Sequence, residues 1–148
     1  MKWRVHKRDY EGLPLFLRHP VGLDASALMP RLPVLLTITL EFAEVRADGL
    51  PAKAYNDSIE ALDLCLVKLF EAQGQGITVL VETFGGRRMY YKYIAGNADV
   101  EQSRSEFSTG FPSASLAWET QPGSTWKFIR RYAEEFELTD LLSTCRRS

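Results

Sequence analysis

The chain has little cysteine and little histidine, two of each among 148 residues. Cys65 and Cys145 lie far apart, and no CxxC or CxxH spacing is present, so a structural zinc site is not predicted. We interpret both cysteines as free thiols of a cytosolic, that is cytoplasmic, protein, because disulfides are rare in that compartment. The sequence therefore predicts no metal ligands and no cofactor.

Long apolar runs and an excess of one charge are also absent. No stretch of about 18 apolar residues exists, so no membrane span is predicted. The first ten residues lack the apolar segment of a signal peptide. The 18 basic and 19 acidic residues give a net charge of −1, whereas nucleic-acid-binding proteins usually carry a basic excess. We therefore expect neither a membrane nor a nucleic acid as partner.

Motifs of known catalytic sites are missing as well. No serine stands in a G-x-S-x-G context, and no glycine-rich stretch ends in GK[ST], so neither a serine nucleophile nor a phosphate loop is predicted. His6 and His19 are the candidates for acid–base chemistry. They would act together if an N-terminal hairpin brought them close, which leaves a weak hydrolase with His6 or His19 as base as one alternative.

The strongest pattern in the chain is the stretch 77–95. Two runs of alternating residues flank the pair Gly85-Gly86, and glycine supplies the positive φ that a tight hairpin needs. Aromatic and β-branched side chains, which fit a pleated sheet, dominate both runs. This stretch is predicted to be a β-hairpin in the core sheet. Period two places Arg88, Tyr90 and Lys92 on one side of the second strand.

Other periodic segments complete the chain. Alternation predicts further strands at 3–9, 13–19, 34–45 and 113–120. Helical spacing predicts helices at about 53–73, at about 98–109 with Asn97 as N-cap, and after the cap residue Ser124. The stretch 20–33, with three prolines, is predicted to be a loop.

From residue 34 onward, the order of elements is strand, helix, strand, strand, helix, strand. That order predicts a ferredoxin-like split βαβ arrangement, βαββαβ, with an antiparallel sheet. The N-terminal hairpin and the last helix are additions to this unit. We predict a single α+β domain over residues 1–148, with one polar, open sheet face and a frayed or turn-like tail at 139–148.

Several short motifs resemble a bacterial family catalogued as domain of unknown function 695. They are Trp3, Gly12-Leu13-Pro14, Gly49-Leu50-Pro51, Thr83-Phe84-Gly85-Gly86-Arg87-Arg88 with Tyr93, and Pro122 before Trp126, with Gln121 where the family has aspartate. The family has no established activity, so the resemblance implies a fold. Its members are sometimes joined to domains like the regulator of ribonuclease E activity B, a ferredoxin-like inhibitor. The resemblance therefore favours protein binding.

Without a catalytic motif, the leading hypothesis is a non-catalytic protein-interaction module. A regulator or inhibitor is one form, and an immunity protein that neutralises a partner toxin is another. The predicted contact residues are Arg88, Tyr90 and Lys92 on the open sheet face, and Glu134 and Glu135 on the acidic last helix. A small-molecule or nucleotide sensor that uses the same sheet face is the alternative.

Overall fold

The structure, a computed structural model, describes residues 1–143. Its six strands are β1 (Trp3–Tyr10), β2 (Leu13–Pro20), β3 (Val34–Glu41), β4 (Gly76–Phe84), β5 (Arg87–Ile94) and β6 (Ser115–Pro122). Its five helices are α1 (Ala25–Leu28), α2 (Lys53–Ser58), α3 (Glu60–Lys68), α4 (Val100–Gly110) and α5 (Lys127–Glu135). The class is α+β, as predicted, and the strands follow the predicted order.

All six strands form one antiparallel sheet in the order β1-β2-β4-β5-β3-β6. Two tight turns build its hairpins. Gly85 and Gly86, with φ of 62° and 87°, join β4 to β5, and Glu11 and Gly12, with φ of 52° and 84°, join β1 to β2. Two-residue turns with positive φ match the twist of an antiparallel pair, so each turn sets the register of its hairpin.

Both faces of the sheet are covered. On one face, Leu36, Ile38 and Leu40 of β3 pack with Leu62 and Leu66 of α3, and residues of α4 close the same cluster. The other face packs against a second apolar cluster. The predicted open sheet face is therefore wrong over the centre of the sheet, because a layer of structure lies on each side.

The second cluster is built around α5 and the segment that follows it. Trp126 and Ile129 are fully buried against β3 and β5, and Leu138 and Leu141 join the same cluster. A parallel bridge pairs Leu142 with Leu23. Residues 139–141 form a turn, which is the turn-like alternative for this segment, and Leu141 is buried. The rest of the predicted tail 139–148, beyond residue 143, lies outside the described residues.

The predicted helix at 53–73 is two helices, α2 and α3. It also ends earlier than predicted, because Leu69 is extended and Phe70 has φ of 73°, which turns the buried Phe70 ring into the core. The N-cap of α4 is Asp99, not Asn97, and its side chain accepts from the Gln102 amide at 3.0 Å.

None of the helices within residues 1–143 has the length and apolar character required to cross a membrane.

Candidate functional site

Asp63 of α3 is the centre of a part-buried polar network. Its Oδ1 accepts from Arg18 Nη2 at 2.8 Å, from Arg88 Nη1 at 3.2 Å and from the Tyr90 hydroxyl at 2.5 Å. Burial alone would raise the pKa of Asp63, but the two guanidinium groups and the hydroxyl outweigh it and lower that pKa. The carboxylate is therefore held in its charged form.

The other two guanidinium nitrogens of Arg88 also donate hydrogen bonds inside the protein. Nε donates to the Thr83 hydroxyl at 2.8 Å, Nη2 donates to the Asn56 amide oxygen at 3.1 Å, and the guanidinium lies 5.4 Å from the Phe42 ring centre. The Arg88 side chain is 11% exposed. Arg88 thus joins β5 to α2, α3 and β4, so this geometry gives it a structural role and little surface for a partner.

Tyr90 and Lys92 are also buried, both at 0% exposure. Burial and then the neighbouring Asp63 charge raise the pKa of Tyr90. The prediction that Arg88, Tyr90 and Lys92 lie on an open polar face is wrong, because they point to the side that α3 covers. The acidic partner of Arg88 is Asp63 of α3.

Glu134 and Glu135 are exposed at the end of α5, as predicted for an accessible surface. The same helix carries Lys127, Arg130 and Arg131, so its charge is mixed. A mixed surface produces little net field, and steering of a basic partner by this helix is correspondingly weak.

A cavity of about 460 Å³ lies beside the Asp63 network. Arg18, Arg46 and Arg88 line it together with Asp57, Glu60 and Asp63. Three positive and three negative side chains balance each other, so the cavity suits a polar molecule with groups of both signs and not a strongly charged one.

The β1–β2 hairpin brings His6 and His19 close together, as acid–base chemistry by the pair would require. Their Nε2 atoms are 3.0 Å apart, and Asp140 lies beside them, with Oδ1 3.8 Å from His19 Nε2. Burial first, and then the His19 charge, lower the pKa of His6. This cluster lies on the opposite face of the hairpin from the cavity beside Arg18, whose lining includes neither histidine.

The outer edge of β6 is the other accessible feature. β6 pairs with β3 along one edge, and within residues 1–143 no strand pairs with its other edge. A groove of about 290 Å³ lies between β6 and α4, and its lining is mixed, with Glu101, Arg104, Ser105 and Ser108 beside apolar side chains. The apolar lining consists of Phe107, Phe111, Ala114, Leu116 and Trp118. Sequence reasoning missed this edge, because strand order decides which strand lies outermost.

These features define the chain as an α+β protein built on a six-stranded antiparallel sheet with polar and apolar surface sites. Residues 1–132 match the family described as Family of unknown function (DUF695), and the chain belongs to that family. The resemblance drawn from the sequence is therefore confirmed. No curated protein matches the chain, and no solved structure matches it.

Proposed function

We propose that the chain is a protein-interaction module that binds an extended segment of a partner protein along the free edge of β6. The observation that carries this proposal is an eight-residue outer strand whose half-buried Leu116 and Trp118 line a groove of mixed polarity beside it. An extended peptide that adds to a sheet edge gains main-chain hydrogen bonds, and neighbouring grooves select its side chains.

The register of β6 on β3 identifies the backbone groups that such a segment would use. Gly123 donates to the Pro33 carbonyl at 2.8 Å, which makes this pair a hydrogen-bonded one. Antiparallel pairs alternate, so Ala117 and Glu119 direct their amides to β3. The amides and carbonyls of Leu116, Trp118 and Thr120 therefore point away from the sheet.

The side chains at this edge suit an alternating apolar segment. Leu116 and Trp118 are half-buried on the α4 side, where Trp118 lies 5.6 Å from the Phe107 ring centre. A partner strand paired with β6 would place every second side chain over this groove. Large half-buried aromatic residues are common anchors in protein interfaces, so an apolar residue of the partner is expected to occupy the groove.

The edge also lacks the usual protection against pairing. Natural edge strands are commonly blocked by lysine or inward-pointing charge, as β1 is by Arg4, Lys7 and Arg8. β6 carries a single charged residue, Glu119, and its proline, Pro122, is the last residue of the strand. This contrast between the two outer strands supports β6 as the one that receives a partner.

We further infer that β3 to β6 with α3 and α4 form a ferredoxin-like unit. The order β4-β5-β3-β6 supports this inference, as does the placement of α3 and α4 in the same apolar cluster. A cytosolic regulator, inhibitor or immunity protein would use such a unit as a rigid frame for the β6 edge.

The decisive variant is Thr120→Pro. Proline removes the outward amide of residue 120 and leaves the bonds to β3 in place, and edge strands tolerate it. Proteins captured from the native host by the full chain would be purified, and their binding would be measured with the wild type, Thr120→Pro and the matched control Thr120→Ala. We expect Thr120→Pro to abolish binding at an unchanged melting temperature, while Thr120→Ala binds normally.

Amide exchange gives a second measurement. On complex formation, exchange should slow at the amides of Leu116, Trp118 and Thr120, while Ala117 and Glu119, already bonded to β3, should not change. A partner that binds the proline variant as tightly as the wild type, with no added protection at these three amides, would contradict the proposal.

A second candidate function, a small-molecule sensor, is favoured by the cavity beside Arg18. The Arg18 side chain is one-third exposed, and among residues 1–143 its side-chain hydrogen bond is the one from Nη2 to Asp63, which leaves further N–H groups to meet a ligand. A thermal-shift screen with zwitterionic metabolites should show stabilisation that Arg18→Gln removes. The same shift in both proteins would rule out binding in this cavity.

A further inference from the structure

We propose that His6, His19 and Asp140 bind one Zn²⁺ ion, which fastens the segment after α5 to the β1–β2 hairpin. Their potential ligand atoms all lie within 4.8 Å of one another. Two imidazoles and one carboxylate are ligand types that zinc accepts, and three protein ligands leave a fourth position for water.

The register of the hairpin places the two histidines. The turn at Glu11 and Gly12 sets Tyr10 opposite Leu13, and the same register sets His6 opposite Leu17 and His19 opposite Arg4. The histidines are therefore diagonal neighbours on one face, a spacing at which long and aromatic side chains meet. Neither histidine needs a loop to reach the other.

His19 is oriented as a metal ligand would be. It is fully buried, and its Nδ1 lies 2.8 Å from the Pro20 carbonyl oxygen, so in the neutral ring Nδ1 carries the proton and donates. This leaves the lone pair of Nε2 directed at His6. A hydrogen bond from the remote ring nitrogen to a carbonyl is the usual support of a metal-bound histidine.

The spacing of the two nitrogens is close to that of two ligands on one ion. Zinc–nitrogen distances of about 2.0–2.1 Å in tetrahedral geometry put two ligand nitrogens about 3.3 Å apart. The Nε2 atoms of His6 and His19 are 3.0 Å apart. The ion would fit if the distance between the two Nε2 atoms increased by a few tenths of an ångström and the half-exposed His6 ring rotated.

Asp140 is held in place from both its backbone and its side chain. Its carbonyl accepts from the Gly22 amide at 2.8 Å, and the next residue, Leu141, accepts from Leu23 at 2.9 Å. The Arg4 guanidinium contacts Oδ2, which leaves Oδ1 facing His19. A carboxylate ligand that is itself hydrogen-bonded on its other oxygen is a common arrangement around metals.

Zinc is the ion that this ligand set fits best among common divalent ions. Mg²⁺ and Ca²⁺ take oxygen ligands, of which this cluster offers one carboxylate. Imidazole ligands favour the later transition metals, and selectivity between them follows geometry and availability. Co²⁺ is a spectroscopic substitute, because its visible absorption reports the coordination number.

The test uses the full chain without an affinity tag, stripped of metal with a chelator. Zn²⁺ is titrated against a chromophoric competitor, and Co²⁺ binding is followed by its visible spectrum. We expect one equivalent of Zn²⁺ to bind and to raise the melting temperature, while Mg²⁺ does neither. The double variant Cys65→Ser, Cys145→Ser should bind Zn²⁺ equally well, which separates this site from thiol binding.

Two single variants locate the ion. His6→Gln and Asp140→Asn should each weaken Zn²⁺ binding by more than about tenfold, since even a lost outer partner costs about 10–100-fold. Asp9→Asn, an exposed position on the same strand, is the matched control and should bind as the wild type does. His6 is half-exposed, so His6→Gln is expected to fold even if a change at buried His19 does not.

Failure to bind one equivalent of Zn²⁺ overturns the proposal. So does binding that survives both His6→Gln and Asp140→Asn, or that disappears in the cysteine double variant alone. These outcomes do not depend on the β6 edge, because the two histidines lie on β1 and β2, at the other edge of the sheet.

Discussion

Lys92 Nζ lies 3.0 Å from the Val67 carbonyl oxygen and joins β5 to the last turn of α3. It also donates to the Thr78 hydroxyl, which in turn donates to the same carbonyl at 2.6 Å. Burial lowers the pKa of Lys92 to about 7, and the Glu71 charge opposes that shift weakly. A neutral amine has two N–H donors, which match these two acceptors.

Lys92 should make stability depend on pH. Between about pH 7 and pH 10 the unfolded chain holds the lysine proton and the folded chain does not. The free energy of unfolding should therefore rise with pH in this window, by up to about 1.4 kcal/mol per pH unit. Below pH 7 both states are protonated, so the dependence should level off.

Urea denaturation at pH 6.5, 8 and 9.5 would measure this rise. Lys92→Met should abolish this rise, because it removes the amine that titrates. The variant should still fold, since methionine keeps the side-chain volume and Thr78 still bonds the Val67 carbonyl. An equal pH slope in wild type and Lys92→Met would show that another group is responsible.

Leu66→Ala tests the core between α3 and the sheet. Leu66 is fully buried in the same cluster as Ile38, so the truncation should cost about 2–5 kcal/mol. Leu64→Ala, at an exposed position of the same helix, should change stability by less than about 0.5 kcal/mol. Equal denaturation midpoints for the two variants would mean that the helix face is misassigned.

Asp63→Ala tests the part-buried polar network. The change leaves the Arg88 guanidinium buried without its acidic partner and should cost about 3–5 kcal/mol. Asp57→Ala, in an exposed pair with Lys53, is the matched control and should cost at most about 0.5 kcal/mol. Because the pKa of Asp63 is lowered by folding, wild-type stability should fall as the pH drops below about 4. The variant should show a smaller acid dependence, since the pKa of Asp140 is lowered too.

Binding to nucleic acid should be negligible at physiological salt. The basic groups of the aromatic strand are unavailable to phosphates, since Lys92 is buried and Arg88 is paired. The net charge of −1 gives the chain no overall attraction for a polyanion. Fluorescence anisotropy with single-stranded RNA near 150 mM salt would measure this, and sub-micromolar affinity would reverse the expectation.

Local patterns predicted the elements well because they report local physics. Period two identified each strand, and Gly85-Gly86 located the central turn. The same periodicity divides β5 into two faces but does not say what covers each one. Both faces of β5 are buried, because α5 covers Tyr91 and Tyr93 while α3 covers Tyr90 and Lys92. That information lies in elements distant along the chain.

The candidate sites follow the same division. A two-residue turn at Glu11 and Gly12 would have sufficed to place His6 diagonal to His19. The sequence could not predict that Asp140 joins the two histidines, because the bridge between Leu23 and Leu142 that brings it there links residues far apart in the chain. The Asp63 network was missed for a similar reason, since Arg18 and Arg88 come from strands far from α3 in sequence.

The position of β3 between β5 and β6 has a consequence for synthesis of the chain. β3 ends at Glu41, and its first partner begins at Arg87. Synthesis proceeds at roughly 5–20 residues per second, so this apolar strand leaves the ribosome seconds before either of its neighbouring strands. Its pairings join residues far apart in sequence, which also slows folding after release. The nascent chain therefore presents β3 as its main segment for chaperone binding or misassembly.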